Sequence, residues 1–215
     1  MGLWSDVVDV LREAIFAYAQ MSNGNLACGI MAVTFLARLA LLPLTLRLAR
    51  RAARQQEAMR RLKPELDAAR AAFRDDPARL ANETQRIFAR EGLSMIPAAG
   101  CLGIIMQTPV LLALYNAVRE STTLGGRFLW IRDISKPDMA LAMVVAAITA
   151  ASMAAGPQPD GPAQQRMVML ALPAVFTLVA LWQMASGVGL YWGVSSLVGV
   201  AQGLIVRHAL VRQAA

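Results

Sequence analysis

The sequence predicts an all-α integral membrane protein with five transmembrane helices, an N-terminal interfacial amphipathic helix and a cytoplasmic antiparallel helical hairpin. Three observations predict it. The 215-residue chain is 57% hydrophobic and only 16% charged, where a soluble domain is about 45–50% apolar and about 25% charged. Its apolar residues gather in five runs long enough to cross a bilayer. Its basic residues, which give a net charge of +7, gather in one loop between two of those runs.

Residues 1–23 are expected to form an amphipathic helix outside the membrane core. Trp4, Val8, Leu11, Ile15 and Tyr18 recur at three- and four-residue steps, and Asp6, Asp9 and Glu13 share another face. The pattern fits a helix lying in the interface with Trp4 and Tyr18 in the headgroup layer, and it fits equally a helix packed on other protein. No signal peptide is expected, because a basic start is lacking and acidic residues interrupt the apolar ones.

The expected spans are 24–46, 94–118, 139–155, 167–184 and 188–206, against a requirement of about 17–25 residues each. "GPQPDGP" punctuates the loop 156–166. The short break 185–187 makes the last two spans a tight hairpin. The loop 47–93 carries twelve of the twenty-one Lys and Arg residues, so the positive-inside rule places it in the cytoplasm. The N-terminus, the segment 119–138 and the turn 185–187 then fall outside, and the tail 207–215 falls inside.

Within that loop, Met59, Leu62, Leu66, Ala69 and Phe73 form a coiled-coil seam. Asp76 is placed to cap a second helix with Pro77 at its first position. Leu80, Thr84, Ile87 and Phe88 form that helix's apolar face. The basic surface suits ribosomal RNA, anionic lipid or client segments as well as bulk solvent. No aromatic platform or nucleic-acid motif accompanies it, so sequence-specific nucleic-acid binding is not expected.

Cys28, Cys101 and His208 form no metal-binding pattern. No cofactor, metal or catalytic residue is expected, and the chain is not expected to be an enzyme. Cys28 and Cys101 differ in membrane depth by about 15 Å, beyond the ~7 Å reach of a disulfide. Pro43, Pro97, Pro109 and Pro173 read as helix bends. Gly187, Gly189, Gly193 and Gly199 read as close helix packing.

One residue breaks the pattern. Arg38 lies about 13 Å from the cytoplasmic end of the first span, at a depth where arginine costs about 2.5–3.5 kcal/mol on insertion scales. None of the five runs contains Asp or Glu. The charge must therefore find water, neutral polar groups or a ligand. Helical spacing puts Thr34, Arg38 and Thr45 on one face. Gln107 with Thr108, and Ser195, Ser196 and Gln202, are candidates to share a wet cavity with it. A snorkelling arginine or a topology signal is the alternative reading of this residue. A small transporter or channel using Arg38 as an anion-attracting site is the alternative function, although no internal repeat supports it. A serine protease is not supported, since no histidine lies in a span.

At this point five motifs resemble the YidC/Oxa/Alb family of membrane protein insertases: "RLALLPLTLR", "KPEL…FRDDPARL", "GCLGIIMQTPVLLALY", "FLWIRDISKPD" and "GVGLYWGVSSLVGVAQ". They cover nearly the whole chain in order. The resemblance implies five helices around a groove open to cytosol and lipid but closed outside. In it Arg38 helps draw in the polar tail of a nascent client, Gln107 matches a groove-facing glutamine and Trp192 matches the tryptophan of the Leu-Tyr-Trp motif; Thr34 and Ser196 are placed with them by helical spacing. The implied partners are nascent membrane-protein clients, the lipid bilayer, the Sec translocon and the ribosome; the implied location is the bacterial cytoplasmic membrane, as a multi-pass protein. No cofactor is implied. The chain departs from the family at Gly103, at Met184, Ala185, Ser186 and Gly187, and at Ser196, where asparagine is common. A short tail, with no extra N-terminal span or periplasmic domain, is the further expectation. These departures fit a specialised paralogue.

Overall fold

The computed structural model describes residues 3–92, 112–113, 115–121, 126–156 and 163–214. Most of the expected second span, the 157–162 part of the loop, Cys101, Gln107 and the Trp4 side chain lie outside the described residues. Six helices are bounded: α1 (Leu3–Met21), α2 (Leu26–Ala72), α3 (Pro77–Arg90), α4 (Met139–Ala155), α5 (Ala163–Gln183) and α6 (Ser186–Ala214). Residues 115–121 are also helical. Among the described residues there is no strand beyond the isolated Phe128–Ile131 bridge. The all-α expectation holds. Two helices, Leu26–Ala72 and Ser186–Ala209, are long and apolar enough to cross a membrane, and Met139–Ala155 and Met167–Gln183 are shorter apolar helices.

The chain divides into two compact units, Met1–Leu44 with Met106–Ala215, and Thr45–Ile105. The expected first span and the first arm of the hairpin are one 47-residue helix, α2, running through Pro43 without a break. The expected tail is likewise helical as far as Ala214.

In the Thr45–Ile105 unit, Leu62, Leu66 and Ala69 of α2 meet Ile87 and Phe88 of α3, with Met59 and Leu80 packed alongside. These are the seam residues expected from the three–four spacing. Burial of each large side chain stabilises such a water-exposed hairpin by about 1.5–3 kcal/mol. The Asp76 side chain accepts the Arg79 N–H at 3.0 Å, with Pro77 opening α3. Arg90 reaches across to Glu65 at 2.6 Å. Both groups are well exposed, so this pair fixes register more than it stabilises.

In the other unit, α1 turns through Asn23 and Gly24, both with positive φ, and folds back on α2. Val8, Ile15 and Ala19 are buried in the same core as Leu26, Ala27, Ile30 and Val33. So the Val8–Ile15 face is used for packing on protein. Tyr18, expected on that face, is instead exposed with Val7, Val10 and Met21. The packing distance is set by Gly29: a Cβ there would collide with the Ile15 carbonyl oxygen.

Helix α6 lies along α4, and small residues permit the approach. A Cβ on Gly203 would stand 3.0 Å from the Gly156 amide nitrogen, and one on Gly199 would stand 2.6 Å from Ser152 Oγ. The small-residue stretch therefore does what its composition suggests. Outward from this packing, Phe35, Leu36, Leu39, Met143, Val144, Phe176, Val179 and Leu197 are exposed. So many large apolar side chains on four helices suit lipid rather than water.

The segment 126–138 is fastened to the start of α6. Ser186 donates its N–H to the Lys136 carbonyl at 2.9 Å, and Gly187 donates to Ile134 O at 3.0 Å. Within it, Ser135 donates its hydroxyl (2.6 Å) and its N–H (2.9 Å) to Asp133 Oδ1. The hydroxyl bond first, and the backbone bond second, hold the Asp133 carboxyl below the usual carboxylate range. Its stabilising effect is thus complete above the ordinary value of about 3.9 and is lost as pH falls through the lowered one. Ser135→Ala is expected to raise the Asp133 midpoint towards about 3.9, read by carboxyl carbon NMR; an unmoved midpoint would refute this origin.

Candidate functional site

Arg38 lies in the apolar part of α2 and is half-buried. Its Nε donates to Ser195 Oγ of α6 at 3.1 Å. Among the described residues no carboxylate forms an ion pair with it. The charge expected to lack an acidic partner is therefore met by a neutral hydroxyl, which accepts one of the five guanidinium N–H bonds. The other four N–H bonds sit on the two terminal nitrogens, the pair of donors by which a guanidinium suits carboxylates.

Tyr191 lies one helical turn before Ser195, so both face the same way. It is buried, 2% exposed. Its hydroxyl has Arg38 and Ser195 as polar neighbours but makes no hydrogen bond within normal geometry. A buried unpaired hydroxyl costs about 1–3 kcal/mol relative to a satisfied one. Removing it as Tyr191→Phe is therefore expected to leave thermal stability in detergent unchanged or raised by up to about 1 kcal/mol. A clear loss of stability would mean that the hydroxyl is satisfied after all.

The other expected site residues separate. Thr34 is fully buried, one turn from Arg38, and its hydroxyl donates to its own helix at Ile30 O, 2.7 Å away. Ser196 faces α4 instead of α2: its Oγ lies 3.1 Å from Thr149 Oγ1, which also donates to Val145 O at 2.9 Å. Successive residues on a helix point about 100° apart, so Ser195 and Ser196 cannot serve the same neighbour. Trp192 packs against Phe176 of α5, with ring centroids 6.5 Å apart and planes tilted by 51°. Gln107 lies outside the described residues.

Gln202, grouped with the serines from the sequence, lines a different space. It borders a cleft of roughly 630 Å³ between α2 and α6, where Phe35, Leu39, Leu42, Val194 and Leu197 make the walls apolar. The polar cluster and this greasy cleft use different faces of the same two helices. Tyr191 is the site residue that the sequence reading did not single out; its signal was the i, i+4 step to Ser195. Ser195 was among the candidates, but two adjacent serines could not be told apart without knowing which neighbour each faces.

Residues 17–213 match the model of the 60Kd inner membrane protein family. The chain is 33% identical over 203 residues to a membrane protein insertase YidC of Vibrio cholerae, covering 93% of this chain and 36% of that protein. It is 32% identical over 206 residues to one from Legionella pneumophila, covering 93% and 35%. It therefore spans about a third of the length of these relatives. Its fold resembles a crystal structure described as an active YidC insertase with the first transmembrane domain resolved: the TM-score is 0.63 at 22% identity, over 94% of this chain and 46% of that one. The matched residues include α2, all but the last residue of α6 and the Arg38–Ser195 pair between them, and on this match the chain belongs to the 60Kd inner membrane protein family, which is the YidC/Oxa family.

Proposed function

We propose that this chain is a membrane protein insertase. It takes nascent membrane proteins as clients and moves their polar tails through a groove centred on Arg38, at a bacterial inner membrane. The observation that carries this reading is an arginine within an apolar helix, held at Nε by Ser195, in a chain whose relatives are named insertases. A hydrated or ligand-accepting charge at that depth lowers the cost of bringing a polar tail into the membrane. Thr34 and Ser196 are assigned to the groove from helical spacing, and Gln107 and Trp192 by resemblance. The Sec translocon and the ribosome are further partners on this reading.

The full arrangement is five spans with the N-terminus outside. Support comes from the ends that are tied together. Ser186, at the break between α5 and α6, bonds to Lys136, and Arg12 of α1 pairs with Glu120 at 3.1 Å. Those are the segments that the positive-inside rule places together outside.

The test is reconstitution. Vesicles holding the purified chain are given a short-tailed single-span client during translation, and protease protection reports its insertion. Insertion above protein-free vesicles supports the reading. Insertion no better than protein-free vesicles, together with anion flux through the chain, would favour a channel instead.

A further inference from the structure

The segment 126–138 carries an apolar tip that the insertion reading leaves unused. Phe128 and Ile131 exchange two backbone hydrogen bonds, of 2.9 and 2.8 Å, so Leu129 and Trp130 form the apex of a two-residue hairpin. Ile131 is buried and Phe128 packs on the core. Leu129 and Trp130 point the other way, 77% and 53% exposed. Leu129 also has φ +49°, a left-handed backbone that leucine rarely adopts. A hairpin apex in water would carry Asn, Asp or Gly at such a position. Here a large apolar side chain occupies a strained position at the most exposed point of the turn.

The height of this tip is fixed. Trp130 Nε1 donates to Asp138 Oδ1 at 3.2 Å. The same oxygen accepts the Leu141 N–H at 2.7 Å and so caps α4. Helix α4 reads MALAMVVAAITAASMAA, with no charge along its 17 residues. Read as a span, it leaves the hydrocarbon at its cap, and Trp130 is bonded to that cap. Arg127 and Arg132 flank the turn and are exposed. Among the described residues neither forms an ion pair. Tryptophan at the boundary of a span, a leucine beside it and two guanidinium groups on either side match the layering of a phospholipid surface: ring among the headgroups, apolar side chain below, cations on phosphate.

We propose that the Leu129–Trp130 turn is a lipid-binding anchor. It enters the headgroup layer of the leaflet at the N-terminal end of α4, with Arg127 and Arg132 on lipid phosphates, and sets the height of α4 through the Trp130–Asp138 bond. The proposal rests on α4 being a span and is independent of insertion activity.

The experiment places an environment-sensitive fluorophore on Leu129→Cys, with Cys28 and Cys101 replaced by serine. The protein is reconstituted in mixed phosphatidylcholine–phosphatidylglycerol vesicles and challenged with lipids carrying nitroxides at shallow or deep positions. A second label on Glu91→Cys, exposed at the end of α3, supplies the aqueous reference. Shallow nitroxides are expected to quench the Leu129 label about threefold more than deep ones, as for interfacial side chains. Trp130→Ala is expected to reduce that quenching by about half. A Leu129 label as open to aqueous iodide as the Glu91 label would overturn the proposal. So would a label shielded from both iodide and lipid, which would indicate a protein partner at this tip. Carbonate extraction separates the readings: a chain that resists extraction but shows no lipid quenching refutes the anchor alone, whereas a chain that is extracted refutes the spanning reading on which it stands.

Discussion

In the reconstituted insertion assay, Arg38→Ala is expected to slow insertion of clients with acidic tails by roughly 10- to 100-fold. Hydrogen bonds to charged groups contribute about 1.5–3 kcal/mol, and each 1.36 kcal/mol of barrier is tenfold in rate. Clients with uncharged tails are expected to change by only about twofold, since they gain hydration from the groove but no ion pair. Arg38→Lys keeps the charge and loses both the fork and the Nε bond to Ser195, so an intermediate rate is expected. Ser195→Ala tests the geometry separately. It frees the guanidinium to turn and is expected to slow acidic-tailed clients a few-fold in the native background. In the Arg38→Ala background it is expected to have no further effect, because residues acting through one contact are not additive. If Arg38→Ala inserts every client at the native rate, the arginine mechanism fails, whereas the fold and the family assignment stand.

Gly29→Leu is expected to produce the largest loss of stability, lowering the thermal midpoint in detergent by roughly 5–10 °C. At Gly29 the backbone of α2 touches the backbone of α1, and an added Cβ would meet the Ile15 carbonyl oxygen and stand 3.2 Å from the Ala19 amide nitrogen. A side chain in the way could change rotamer, but a helix backbone can only move as a whole. Overpacking of this kind costs about 1–3 kcal/mol or more, and in a chain of this length each kcal/mol shifts the midpoint by about 2–4 °C. Gly29→Ala removes a poor helix former, a gain of up to about 1 kcal/mol, so its net loss is expected to be smaller. Ala40→Leu, on an exposed position of the same helix, serves as the control and is expected to shift the midpoint by about 1 °C at most. A Gly29→Leu protein as stable as that control would mean that α1 is not seated on α2.

Much of the chain was legible because helix periodicity and charge placement act locally. The hairpin seam at Leu62, Leu66 and Ala69, the Asp76 cap and the small-residue face of α6 each follow from spacing and side-chain chemistry within a few turns. The same spacing could not place α1. A stripe at Val8 and Ile15 satisfies lipid and protein alike, and the outcome depends on Gly29, eleven residues beyond the Tyr18 end of the stripe.

The sequence by itself determined that Arg38 sits in an apolar helix, that no acidic residue in the apolar runs could neutralise it and that Ser195, Ser196 and Gln202 on α6 were candidate partners. Only the tertiary structure decided which of them answers it. Ser195 meets Arg38 and Ser196 meets Thr149, while Gln202 turns to an apolar cleft. The physical reason is rotation. Adjacent residues on a helix differ by about 100° in direction, so the choice between them depends on how α2, α4 and α6 are rotated against one another. That rotation is set by small residues such as Gly199 and Gly203 pressing on α4 and its C-terminal end, at Ser152 and Gly156, contacts 47 positions apart in the chain, which no local pattern encodes.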